Sequence, residues 1–180
     1  MSPPDADAAQ NATDSAPRPP TPTLAQALLV LAVVVVAIAG YLALAAALGI
    51  RESYIGFIFV FYWLSIEQGK PQRLPAILLG ACFGLAAAWL LQYALHSPHI
   101  AVLMALFLAL VALSIVCLVL GRLPVVFNTP AMLVLTVFTI PHIQQSASFP
   151  WLYGALGFAT VYFGLIVAGA TRLASRLKPR

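Results

Sequence analysis

Between Leu24 and Ala170 the chain is almost continuously apolar, and its charged residues fall only at three breaks: Arg51-Glu52, Glu67 to Arg73, and Arg122. Nothing else in the sequence limits the fold so severely. A run of about 20 apolar residues is long enough to cross a bilayer as a helix. Here such runs follow one another with only a few residues between them. Over the whole chain 62% of residues are hydrophobic and 8% are charged, against roughly 25% charged in an ordinary soluble domain. A soluble fold has nowhere to bury that much apolar surface. The expected class is therefore an all-α integral membrane protein.

Six apolar segments can be traced, at residues 24–50, 53–66, 76–95, 100–120, 124–140 and 151–170. The expected organisation is a disordered, Pro-rich tail over 1–23, a six-helix transmembrane domain over 24–173, and a basic tail over 174–180. The N-terminal tail is acidic at its start (Asp5, Asp7, Asp14) and does not read as a signal peptide, which opens on basic residues.

Two of the six segments are too short. Residues 53–66 give about 21 Å of helix, against the ~30 Å hydrocarbon core. In 124–140, Pro130 follows Asn128 and Thr129. Proline removes a backbone donor and disfavours α geometry in the residue before it. The expectation is a helix broken around Pro130. Broken backbone at membrane depth has to be covered by protein or line a wet cavity.

Charge sets the orientation. With six crossings, one side holds Arg18, Lys70, Arg73, Arg122, Arg172, Arg176, Lys178 and Arg180, and the other keeps only Arg51. If both short segments turned back without crossing, five basic residues would face four. Lys and Arg near span ends favour the cytoplasmic side, so six crossings with both termini cytoplasmic are expected, in the inner (plasma) membrane. The net charge of +4 sits at segment ends, without the aromatic interleaving of a nucleic-acid surface, and no nucleic-acid partner is expected.

The order of segments is long, short, long, repeated once. A brief break precedes each short segment, and a polar loop ending in Pro75 or Pro150 leads into a Gly-containing span. Three crossings per half make the halves inverted in the membrane, a 3+3 arrangement frequent in transporters. There, paired short or interrupted segments mark the substrate site.

The candidate solute site follows from those segments. Asn128 and Thr129 stand at the break, Tyr54, Phe57, Phe61 and Tyr62 supply an aromatic wall, and Glu67 is an acidic group at a membrane boundary, where ionisable residues often carry function. Each has a plainer alternative. The aromatics suit an interfacial belt or core packing. Glu67 suits a solvated pair with Lys70 or Arg73. Asn128, Thr129, Thr136 and Thr139 can bond locally to backbone that the proline leaves free. Gly80 and Gly84, in a Gly-x-x-x-Gly step, and Gly154 and Gly157 are candidate helix-packing positions.

Cys82 and Cys117 lie inside apolar runs and read as small buried hydrophobes. His96 and His99 flank Pro98 in a turn and lack further ligands, so no metal site is expected. No nucleophile–base motif or phosphate loop occurs, so the chain is not read as an enzyme, and no cofactor is implied.

The pieces Tyr54-Ile55-Gly56-Phe57, Glu67-Gln68-Gly69-Lys70 and Leu79-Gly80 resemble an uncharacterised family (a domain of unknown function) of small bacterial inner-membrane proteins. In that family an aromatic short segment leads through a Gly/Lys loop into a Gly-rich span. Asn128-Thr129-Pro130 departs from the family's small residues in the second half. The chain also resembles, more remotely, the membrane half of fusaric-acid-resistance-type efflux proteins. The likeness implies a compact bacterial membrane fold and no particular activity. Taken with the residues, the expectation is a transporter or channel for a small neutral or cationic solute, in a homo-oligomer within the lipid bilayer. The alternative is a non-transporting subunit or scaffold that docks other membrane proteins.

Overall fold

The computed structural model describes residues 23–177. The expected N-terminal tail, save its last residue, and the last three residues of the chain lie outside that range. The chain divides at Val36/Ala37. The first unit contributes the opening turns of the first helix, and the second holds everything after it.

The regular structure of the described residues is all helical, with no strand. The helices are α1 (Leu24–Ala47), α2 (Tyr54–Ser65), α3 (Leu74–Leu95), α4 (Ile100–Val119), α5 (Thr129–Phe138), α6 (Pro141–Ser146) and α7 (Phe149–Leu177), with a 3₁₀ turn at Pro71–Arg73 before α3. Four of them, α1, α3, α4 and α7, are long and apolar enough to cross a membrane, whereas α2 and α5 are shorter apolar helices.

The boundaries follow local chemistry. α1 and α4 both end on a left-handed glycine, Gly49 (φ 71°) and Gly121 (φ 63°). In each, the glycine N–H reaches back three residues and the next N–H five, to Ala46 and Ala45 or to Leu118 and Cys117. Glycine adopts that conformation without a Cβ penalty and so satisfies the last carbonyls. α3, α5 and α6 carry proline at one of their first two positions, where its missing N–H has no helical partner to lose.

That placement corrects two expectations. Residues 124–140 are not one helix broken at Pro130. Residues 124–128 form turns, and the helix begins at Thr129, with Pro130 inside its first turn. The stretch after Pro141, read as loop, forms α6. α7 itself runs to Leu177, and its apolar span ends at Leu173.

Specific pairings give the directions of the helices. Along α3, Ala76 and Gly80 meet Asn128, Gly84 meets Ala131 and Leu135, and Ala88 meets Gln144. Both sequences rise together, so α3 and α5–α6 run the same way. Tyr153 meets Cys82 and Gly164 meets Leu74, so α7 runs opposite to α3. Tyr54 stacks on Phe138 while Tyr62 meets Thr129, so α2 opposes α5. Ala37 meets Tyr162 and Tyr41 stacks on Phe158, so the second part of α1 opposes α7.

Charge separates accordingly. Arg73 and Gly121, next to Arg122, border one cavity, and Gly69 lies near Val167, so the 67–73 loop, the turn after α4 and the last turns of α7 share one end. Among the described residues, Lys70, Arg73, Arg122, Arg172 and Arg176 belong to that end and Arg51 to the other.

In lipid, whose tails are as apolar as these side chains, close packing and hydrogen bonds, rather than escape from water, would hold such helices together. α3 is the hub and packs on α2, α4, α5, α6 and α7. Three of its carbonyls, six residues apart, each accept a bond from another helix or its cap: Asn128 Nδ2 to Ala76 O (2.8 Å), Tyr153 Oη to Cys82 O (3.2 Å) and Gln144 Nε2 to Ala88 O (2.8 Å). Bonds of this kind contribute about 0.6 kcal/mol each on average, and up to about 1.7. The core they enclose is made of Tyr41, Ile55, Trp63, Leu85, Phe138, Phe149, Leu152 and Leu156.

Candidate functional site

The site begins at the end of α2. Its helix stops because Gln68 (φ 55°) and Gly69 (φ 65°) turn left-handed. Gly69 N–H then returns to Trp63 O at 3.0 Å, and Trp63 Nε1 donates to Lys70 O at 3.0 Å. Trp63 is fully buried, so this indole anchors the loop from below. The loop is thereby ordered and holds Glu67 at its inner edge. Arg73 Nε lies 3.7 Å from Glu67 Oε2, and the arginine side chain is 64% exposed against 27% for the glutamate. At that separation and exposure the pair contributes little, in the range of about 0–1 kcal/mol.

Opposite Glu67 stands the start of α5. Asn128 is its N-cap: Oδ1 accepts from Ala131 N–H at 3.1 Å. The same amide donates through Nδ2 to Ala76 O at 2.8 Å and to Val125 O at 3.1 Å. Both halves of the amide are therefore committed to protein. Asn128 is a structural wall of the site and has little left to offer a solute.

Between these elements lies a cavity of about 210 Å³, bordered by Tyr62, Glu67, Arg73, Phe127, Asn128 and Thr129. At roughly 30 Å³ per water, that is room for a small hydrated ion or a compact organic solute. Tyr62 and Thr129 meet through their side chains. The groups presented are one carboxylate, two hydroxyls and a guanidinium at the mouth. Carboxylate and hydroxyl oxygens accept hydrogen bonds and attract cations, and the nearby arginine tempers the negative charge.

The expected site residues divide. Glu67, Tyr62, Asn128 and Thr129 come together at this cavity. Tyr54, Phe57 and Phe61 do not border it. Tyr54 stacks on Phe138 with centroids 5.8 Å apart, Phe57 meets Tyr41 edge-on, and Phe61 is 70% exposed. Thr136 and Thr139 donate to the backbone carbonyls of Met132 and Thr136, the local bonding that short polar side chains favour. Gly80 and Gly84 face α5 directly: a Cβ at Gly80 would collide with the Asn128 amide, and one at Gly84 would sit 2.5 Å from Ala131 O. Gly154 and Gly157 have nothing within 4 Å of a Cβ, so neither makes the close helix contact expected of it.

Two polar residues escape a reading by hydropathy. Gln92 Nε2 donates to Gln144 O at 2.7 Å, and Gln144 Nε2 donates to Ala88 O, which clasps α6 to α3 at the end opposite the cavity. Gln144 is 3% exposed and its Oε1 has no partner. The signal in the sequence is Pro141, a helix-starting residue three before Gln144. Among the described residues no cluster of three or more His, Cys, Asp or Glu could hold a metal ion. No family model, curated protein or solved structure matches the chain, so geometry alone speaks to what the site does.

Proposed function

We propose that this chain is a six-crossing membrane protein of 3+3 inverted-repeat design that moves a small neutral or cationic solute through the Glu67 cavity. The observation that carries this is the cavity itself. It gathers a carboxylate and two hydroxyls where the C-terminal end of one undersized helix meets the N-terminal end of the other. Transporters hold their substrates at such interrupted segments.

The repeat has support in register. Adding 75 carries Gly56 onto Ala131 and Gly84 onto Ala159, and Gly56 lies against Ala159 as Gly84 lies against Ala131. The same step carries Leu74 and Trp89 onto Phe149 and Gly164, and both cross-pairs, Leu74 with Gly164 and Trp89 with Phe149, are in contact. Buried positions correspond too: Ile77, Ala81, Leu85 and Ala88 map onto Leu152, Leu156, Thr160 and Phe163, all buried. α1 and α4 share the same glycine cap. The alternating helix directions support six crossings, and the one-sided basic residues support cytoplasmic termini in a bacterial inner membrane. Six helices, two of them short, enclose little volume, and α4 buries only Phe107 and Ser114. A homo-oligomer in lipid accommodates both facts.

Flux measured in liposomes across cationic and neutral solutes tests this. Glu67→Gln should lower flux of a cation by roughly tenfold, the equivalent of about 1.4 kcal/mol of lost attraction, with insertion unchanged. A variant that transports as well as the parent removes the cavity from the mechanism. Absence of flux for every solute, with a stoichiometric protein partner recovered, favours the docking subunit.

A further inference from the structure

Resting on the inverted-repeat reading, we propose that the chain has a second solute site at the opposite end, the mate of the Glu67 cavity, and that the two open alternately. The register of 75 residues locates it. Thr129 corresponds to Tyr54, Glu67 to His142, Arg73 to Ser148 and Ile77 to Leu152. The mate site is therefore bordered by Tyr54, His142, Ser148 and Leu152. Hydroxyl and imidazole groups take the places of the hydroxyl and carboxylate of the first. Its ligand is the same class, a small solute rich in hydrogen-bond donors.

In this structure only the inner part of that end is shut. Leu152 is fully buried, whereas Tyr54, stacked on Phe138, and His142 are exposed. α6 is held onto α3 by the reciprocal bonds of Gln92 and Gln144. The closure leaves a polar atom unsatisfied. Gln144 Oε1 is buried and unpartnered. Reversing the amide gives no relief, because it would set Oε1 against Ala88 O and leave the amide hydrogens unpaired. A buried acceptor without a donor opposes the state that buries it. Opening the clasp would give Oε1 to water or to the arriving solute. The segment is built to swing: the residues flanking α6, Ile140 (ψ 125°) and Ala147 (ψ 134°), are extended, so α6 is a short rod between two non-helical joints. At the other end the cavity is open. An inverted repeat exchanges such arrangements between its halves, one end closing as the other opens.

Cysteine accessibility in reconstituted vesicles tests this without knowing the solute. With Cys82 and Cys117 replaced by alanine, Thr129→Cys reports the near cavity and Leu152→Cys the mate site, each read with a membrane-impermeant maleimide from either face. Gln144→Glu keeps side-chain length and the buried acceptor but removes the donor to Ala88 O, and Gln92→Met breaks the clasp from the other side. Each should speed labelling of Leu152→Cys from the face opposite the 67–73 loop and slow labelling of Thr129→Cys from the loop's face, both by roughly tenfold as the two-state populations pass from about 10:1 to about 1:10. Both rates rising together would mean general loosening and would overturn the proposal. A change at Leu152→Cys alone would make the ends independent and overturn it as well, as would no change at either. If Thr129→Cys is not labelled from the loop's face even with the clasp intact, the cavity reading itself fails and the mate site falls with it.

Discussion

Gly84 of α3 packs so tightly on Ala131 of α5 that an added Cβ would sit 2.5 Å from the alanine's carbonyl oxygen. The obstacle is backbone, which cannot rotate away as a side chain can. Gly84→Ala should therefore part the two helices and lower stability by about 1–3 kcal/mol, the usual range for overpacking. Gly154→Ala, where a Cβ meets open space, should leave stability unchanged or raise it by up to about 1 kcal/mol through helix propensity. Thermal unfolding of the two variants in the same detergent reads the contrast. Equal melting would mean that the α3–α5 seam has room for a methyl group.

Asn128 joins two roles that substitution can separate. Asn128→Ser retains an oxygen to cap α5 but loses the donor to Ala76 O. Asn128→Ala loses both. Caps contribute about 0.5–2 kcal/mol, and the interhelical bond adds about 0.6. Unfolding should rank the parent above serine and serine above alanine. A serine variant no more stable than alanine would deny Asn128 its capping role.

Pro130 separates a capped helix from a broken one. Because it lies in the first turn of α5, its missing N–H deprives no helical carbonyl. Pro130→Ala should change the melting behaviour by less than about 1 kcal/mol. In the middle of a helix the proline would cost about 3 kcal/mol, and its removal would stabilise the protein by that order. A large gain would restore the broken-helix picture.

Glu67 should matter to ligand and hardly to fold. Its contact with Arg73 is long and partly exposed, so Glu67→Gln should move unfolding by no more than about 1 kcal/mol while weakening cation uptake. Arg73→Gln frees the carboxylate from its counter-charge and should strengthen cation uptake. Uptake that falls equally in both variants would point to a structural pair instead of a cation site.

Much of the fold is legible in the hydropathy of the chain. The six apolar segments correspond to α1–α5 and α7, and the two undersized segments are α2 and α5. The start of α5 is not legible in that way. Val125, Val126 and Phe127 are apolar, and hydropathy alone cannot tell an apolar turn from an apolar helix. Asn128 followed by Thr129-Pro130 is the better signal, an N-cap ahead of a first-turn proline. Of the candidate site, Glu67, Tyr62, Asn128 and Thr129 are neighbours, whereas Tyr54, Phe57 and Phe61 face other parts of the bundle.

By itself the sequence determined that this chain carries segments long and apolar enough to cross a membrane, how many apolar segments it has and which two fall short, because hydropathy and length are sums over neighbouring residues. Only the tertiary structure decided which faces meet. The helices are apolar all round, so no amphipathic stripe marks a buried side, and Gly84 could not be told from Gly154, nor Tyr62 from Phe61. The amides of Asn128, Gln92 and Gln144 found their partners through contacts up to 56 residues away in the chain, and such pairings exist only once the helices have chosen their neighbours.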